Sequence, residues 1–216
     1  MNPESAPRLE PEGPVRGLVV LIHGYGADGS DLIALGEAFA PALPGVAFVA
    51  PNAPEPCAAM PIGRQWFALT MRDPSEYWRG VSAAGPGLDR FIDGELERYG
   101  LTDDRLALVG FSQGAMMALY VGFRRAERIA GLIGYSGLLA GPEHLARDLR
   151  HRFPVLLVHG DSDDVVPVKH SLQANERLRE LNVPVTCHVE PGLGHAIGPV
   201  GLEMGRSFLA EVLPAN

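Results

Sequence analysis

The 216-residue chain predicts an α/β fold, a mostly parallel central sheet with helices on both faces. Two observations lead there. Short apolar runs recur with helix-like segments between them, and several runs are apolar nearly throughout, as strands covered on both faces must be. At 46% hydrophobic residues, the chain can bury a core without a metal or a disulfide.

The strand-like runs are Gly17 to Ile22, Val46 to Ala50, Arg105 to Val109, Ile129 to Tyr135, Pro154 to His159 and Val183 to Val189. In the last of these alternate residues are apolar, which reads Cys187 as a buried strand position. Leu88, Phe91, Ile92, Leu96 and Tyr99 fall at helical spacing with Asp89, Asp93, Glu95 and Arg98 on the opposite face, and Gly100 ends that helix. Ala115, Met116, Met117, Ala118, Leu119 and Val121 are apolar all round and predict a helix buried against the sheet. Pro167 and Pro199 each suit the first turn of a further helix.

Residues 1–14, with four prolines and three glutamates, read as a flexible arm that is neither signal peptide nor membrane anchor. Residues 15–216 read as a single domain. Within it, residues 51–86 are too long and too rich in Pro, Gly and aromatic residues for a simple connection, and predict an extended loop or flap holding Trp66 and Trp78.

A formal net charge of −8 repels phosphate backbones and anionic lipid surfaces, so neither nucleic acid nor stable membrane insertion is expected. No run approaches the roughly 20 apolar residues a spanning helix needs. Cys57 and Cys187 are far apart and in no metal-ligand spacing, so no disulfide, metal or other cofactor is expected and the cytoplasm is the expected compartment. A homodimer is the one self-association considered.

The chemistry concentrates at Gly110-Phe111-Ser112-Gln113-Gly114. The short pattern Gly-x-Ser-x-Gly arises often by chance, but here a strand pattern precedes it and a helix pattern follows, the context it requires. Such a turn holds the serine in a strained conformation with Oγ above the sheet end, while the helix N-terminus favours a developing oxyanion. The competing reading is a serine helix cap between two packing glycines.

A serine hydroxyl needs a base, and the base needs an orienting acid. Of seven histidines, His195 stands out because Gly192-Leu193-Gly194-His195 forms a loop after the last strand. His23 and His159 also end strands, where a structural hydrogen bond is equally expected. His159-Gly160-Asp161-Ser162-Asp163-Asp164 offers three carboxylates between which spacing does not choose. The chain order Ser, Asp, His is that of α/β-hydrolases. A second oxyanion donor is expected after the first long strand, where His23-Gly24-Tyr25-Gly26 assigns Tyr25 N–H to partner Gln113 N–H.

These segments, with Pro51-Asn52-Ala53-Pro54 and Gln65-Trp66-Phe67, resemble the phospholipase/carboxylesterase family of small α/β-hydrolases over nearly the whole chain after the arm. The resemblance implies the α/β-hydrolase fold and selects Asp163 as the acid beside Ser112 and His195. It also implies a flap near the site carrying part of an acyl groove, to which Trp66, Phe67, Met71 and Trp78 are assigned. Thioesterase members commonly show Trp-Phe-Asp where this chain has Trp66-Phe67-Ala68, which places it nearer the bacterial carboxylesterases. The expected reaction is hydrolysis of small-molecule carboxylic esters with short to medium acyl chains. The alternatives are a lysophospholipase or acyl-protein thioesterase on the same triad, and a non-catalytic ligand-binding protein on the same fold.

Overall fold

The computed structural model describes residues 6–57, 60, 62–70, 73 and 75–214. Its main sheet has seven strands: β1 (Arg8–Leu9), β2 (Gly17–Ile22), β3 (Val46–Val49), β6 (Leu106–Phe111), β7 (Gly131–Tyr135), β8 (Val155–Gly160) and β9 (Val185–Glu190), in spatial order β1-β3-β2-β6-β7-β8-β9. All neighbours pair in parallel except β1, which runs antiparallel to β3.

Apolar runs become strands here because both sheet faces are covered. Leu18, Val20 and Ile22 of β2 join one buried cluster while Val19 and Leu21 join the other. On the first face lie α2 (Ser75–Tyr99), α3 (Gln113–Gly122) and α5 (Lys169–Glu180), contributing Leu88, Leu119 and Leu178. On the second lie α1 (Gly29–Phe39) and α6 (Pro199–Val212), contributing Leu32, Phe39 and Leu209. The remaining elements are α4 (Pro142–Asp148), two single-turn 3-10 helices (Ala40–Ala42 and Asp103–Arg105) and a two-strand ribbon, β4 (Glu55–Pro56) with β5 (Arg64–Gln65).

The flexible arm expected over residues 1–14 is corrected at the described residues 6–9. Arg8 and Leu9 pair with Val49 and Phe48 in the sheet, and Ala6 is buried. The same contact corrects Glu95, expected on a polar helix face: it is fully buried, with Oε1 2.5 Å from Arg8 Nη2. A buried carboxylate needs such a partner, and the arm supplies it from 87 residues away. The loop or flap expected over residues 51–86 is corrected at its end, since α2 starts at Ser75 and continues through Pro86. Cys187 is only half-buried, because β9 is an edge strand.

Helix α1 begins with a capping box: Asp28 Oδ1 accepts from Ser30 N–H at 2.7 Å, and Asp31 Oδ2 accepts from Asp28 N–H at 3.0 Å. This cap stops the helix from consuming the preceding residues 24–27, which stay as a loop above β2. Among the described residues, no helix is long and apolar enough to cross a membrane.

The strand order reverses between β2 and β6, since the chain passes from β2 outward to β3 and returns on the other side to β6. Parallel sheets open a crevice beyond the strand ends at such a reversal. The loop His23-Gly24-Tyr25 and the turn at Ser112 both leave the sheet there, where Ile22 pairs with Gly110.

Candidate active site

Ser112 sits between β6 and α3 with φ 54° and ψ −116°, a conformation that costs a non-glycine residue about 1–3 kcal/mol. The two flanking glycines make it attainable. A Cβ on Gly110 would lie 2.3 Å from Gly114 O, and one on Gly114 would lie 1.8 Å from Ile22 O. Although Ser112 occupies the N-cap position of α3, its side chain makes no capping hydrogen bond. The helix-cap reading therefore fails, and the hydroxyl is left for other work.

Facing it is the loop after β2. A Cβ on Gly24 would stand 3.2 Å from Ser112 Cβ, so this glycine lets the backbone approach the serine closely. Among the described residues, neither Tyr25 N–H nor Gln113 N–H makes a backbone hydrogen bond. His23 fixes the loop: Nδ1–H donates to Gly24 O at 2.7 Å, while Ala53 N–H donates to Nε2 at 3.0 Å. Holding Gly24 C=O also fixes the direction of the Tyr25 N–H on the same planar peptide. Burial keeps the His23 pKa below the ordinary imidazole value, so the ring remains neutral and Nε2 remains an acceptor.

Of the three carboxylates after β8, only Asp163 reaches His195, with Oδ2 2.7 Å from Nδ1. Its Oδ1 accepts from Val165 N–H at 2.9 Å and Val166 N–H at 2.8 Å. Burial alone would raise this carboxyl; the bonds from His195, Val166 and Val165 outweigh it and hold the pKa below the usual carboxylate value. An ionised carboxylate only accepts, so His195 Nδ1 carries the proton and Nε2 keeps a free lone pair. Asp161 has a different task, accepting from Gly192 N–H at 2.7 Å and so bracing the loop that carries His195. Asp164 is exposed.

The His195 ring packs 4.9 Å, centroid to centroid, from Phe111, the residue before Ser112. Ser136 Oγ donates to Ala196 O at 3.4 Å and ties the same loop to the end of β7. No hydrogen bond joins Ser112 Oγ to His195 here; such bonds commonly close only when substrate is bound. Phe111 and Ser136 carry no sequence signal of their own, and Asp161 is marked in the sequence only as one of three candidate carboxylates. Their contacts span up to 84 residues, and no local pattern announces them.

The residues assigned to an acyl groove divide. Trp66 is 1% exposed and Phe67 6%, so both serve as packing rather than as open lining. Trp66 Nε1–H donates to His23 O at 2.9 Å and its backbone N–H donates to Gln113 Oε1 at 2.9 Å. Gln113 Nε2–H donates in turn to Phe67 O at 2.8 Å. The Gln113 side chain thus clamps the segment after β5 to the start of α3, a role beyond the backbone donor expected from sequence. Trp78 lines an open groove of about 510 Å³ with Leu138, Leu139, Gly141, His144 and His170. Met71 lies outside the described residues.

The architecture has clear relatives. A family model described as Phospholipase/Carboxylesterase matches residues 8–213. Esterase YpfH of Escherichia coli (strain K12) is 28% identical over 206 residues, covering 95% of this chain and 87% of that protein. Acyl-protein thioesterase 1 of Gibberella zeae is 26% identical over 213 residues, covering 91% of this chain and 90% of its own length. The crystal structure of esterase PE8 superposes with a TM-score of 0.94 at 44% identity, covering 97% of this chain and 99% of that one.

Proposed function

Given that the chain belongs to the phospholipase/carboxylesterase family, we propose that it hydrolyses small-molecule carboxylic esters through an acyl-enzyme on Ser112. The observation that carries this is the Asp163–His195 pair, 2.7 Å apart, packed through Phe111 against a strained serine turn.

In this mechanism His195 Nε2 takes the Ser112 hydroxyl proton as Oγ attacks the ester carbonyl. The carbonyl oxygen becomes an oxyanion held by Tyr25 N–H and Gln113 N–H, reinforced by the positive end of α3. His195 then passes its proton to the departing alcohol as the C–O bond breaks, leaving an acyl ester on Oγ. Water gives a proton to His195 and attacks that ester, and the proton returns to Ser112 as the acid leaves. Asp163 remains ionised throughout and stabilises the imidazolium. The groove beside Trp78, Leu138 and Leu139 is apolar enough for a short to medium acyl chain. With Cys57 and Cys187 both free thiols, we place the protein in the cytoplasm.

Ser112→Ala is expected to lower kcat for a p-nitrophenyl ester by on the order of a million-fold while the protein stays folded, and to abolish labelling by a fluorophosphonate. Full hydrolysis by the purified variant ends this reading. A thioester substrate is the second reading, favoured by the thioesterase named among the relatives. Comparing kcat/KM for oxygen esters and thioesters of equal acyl length separates the two.

A further inference from the structure

We propose that Arg64 is a positioning residue for acyl transfer, bracing the peptides on both sides of Tyr25 so that the Tyr25 N–H is aimed at the oxyanion; this rests on the acyl-enzyme reading above. Two peptide planes meet at Tyr25 Cα, and each has its own partner. The plane carrying Tyr25 N–H is fixed at Gly24 O by His23 Nδ1–H, 2.7 Å away. The plane carrying Tyr25 C=O is fixed at Gly26 N–H, which donates to Arg64 O at 2.9 Å. Arg64 N–H returns a bond to Ala27 O at 3.0 Å. With both planes held, the backbone angles at Tyr25 are set. Glycines make this contact possible. Gly26 has φ +81°, and a Cβ on Gly63 would lie 2.1 Å from Gly26 O, so the start of β5 can lie directly on the loop.

The Arg64 side chain reaches a third segment, the one that follows β3. Its Nε–H donates to Ala53 O, and its Nη2–H donates to Pro54 O at 2.8 Å. The planar guanidinium presents these donors in one fixed fork, which suits two successive carbonyls. Ala53 in turn gives its N–H to His23 Nε2 at 3.0 Å, and His23 is the residue that holds Gly24 O. Arg64 therefore stands behind both planes, through its backbone at Gly26 and through Ala53 and His23 at Gly24. A ribbon that merely covered the sheet would need neither the pairing to Gly26 nor a guanidinium on the residue that bonds His23. The charge works in the same direction as the bonds. Burial is the main cause of the lowered His23 pKa and Arg64 adds to it, against Gly24 O, Asp28 and Asp31, which act the other way. A neutral ring is what leaves Nε2 able to accept from Ala53.

Removing the guanidinium frees Ala53 and Pro54, and with them the His23 ring and the Gly24 carbonyl. Tyr25 N–H then drifts from the oxyanion position while Asp163 and His195 keep their own bond. The test compares two variants of the whole chain: Arg64→Met, which keeps an apolar stem and removes every donor, and Arg64→Lys, which keeps one charged donor group. Hydrolysis of a p-nitrophenyl ester is measured beside inhibition by phenylboronic acid, whose boron accepts Ser112 Oγ and becomes tetrahedral, with an oxygen where the oxyanion stands. Arg64→Met is expected to lower kcat by about 10–100-fold with KM within about twofold. Its inhibition constant for the boronic acid rises by nearly the factor by which kcat/KM falls, because both read the same donor. Arg64→Lys falls between Met and the unaltered chain in both measures. Where the Met variant does not fold, the Lys variant carries the comparison. Folded variants with unaltered kcat, or with lowered kcat and unaltered boronic acid affinity, overturn the proposal, whatever their melting temperatures. Ser112→Ala run alongside separates the two failures: an active Ser112→Ala sinks the acyl-enzyme reading, whereas an inactive one beside normal Arg64 variants sinks only the role of Arg64.

Discussion

Replacing Gln113 by alanine tests whether the clamp between the segment after β5 and the turn at Ser112 matters. Gln113 is 1% exposed, and its amide satisfies Trp66 N–H at 2.9 Å and Phe67 C=O at 2.8 Å. Alanine leaves both groups without their partner in a buried site, at about 1–3 kcal/mol each. With partial relaxation the loss comes to about 2–5 kcal/mol, and at about 2–4 °C per kcal/mol for a domain of this size the melting temperature falls by about 5–15 °C. Because Trp66 Nε1–H also holds His23 O, and His23 holds Gly24 O, loosening Trp66 shifts the Tyr25 amide. Misplacement there is expected to lower kcat by about tenfold or more, although the Gln113 backbone N–H is retained. Thermal unfolding, tryptophan fluorescence and ester kinetics read these effects. Gln113→Met separates volume from hydrogen bonding, since it fills the space and restores neither bond. A wild-type melting temperature in the alanine variant, or full rescue by methionine, refutes the clamp.

Other expectations are as specific. Asparagine at Asp163 should lower kcat by about 10⁴-fold, because the amide favours the wrong tautomer of His195; at exposed Asp164 it should do little, and a larger loss at Asp164 would reassign the acid. Asp161→Ala releases Gly192 N–H and should raise the mobility of the His195 loop, read as a moderate fall in kcat without loss of the fold. Deleting residues 1–9 removes Arg8 and leaves buried Glu95 only the longer contact to Arg98, 3.5 Å away, so the midpoint of denaturant unfolding should fall; an unchanged midpoint would mean the arm is dispensable. The His23 pKa is lowered in the folded state, so the unfolded chain takes up its proton first as pH drops. Its contribution to stability is complete above the unfolded value of about 6.5 and declines below it. Melting temperature should therefore fall as pH falls from 7 to 5, and His23→Asn should flatten that slope. The depressed Asp163 pKa adds a second loss at lower pH: its stabilisation is complete above about 3.9 and vanishes as pH falls through the folded value.

Much of this molecule was legible because the informative patterns are local. Buried parallel strands must be apolar on both faces, so β2, β3, β6, β7 and β8 appear as runs, within a few residues of their bounds, while the edge strand β9 shows only alternation. β1 is only two residues long, too short to show any period, and Pro-rich surroundings disguise it. Glu95 was misread for a related reason. Helical spacing identifies a face but not what packs on it: besides Arg98 on the same helix, Glu95 meets Arg8 from the arm.

Sequence by itself determined the strand–turn–helix around Ser112, because two glycines, a strand and an apolar helix are contiguous and their steric need is local. It also marked the loops that carry Tyr25, Asp163 and His195, through glycine placement and chain order. Spacing did not choose among Asp161, Asp163 and Asp164 and the resemblance selected Asp163; tertiary structure alone set that carboxylate against His195, braced the same loop through Asp161, and tied the Gln113 side chain to Trp66 and Phe67. Each of those outcomes turns on a hydrogen bond between separate loops and elements. Its geometry depends on where the strands end relative to one another, which the pairing of the whole sheet settles.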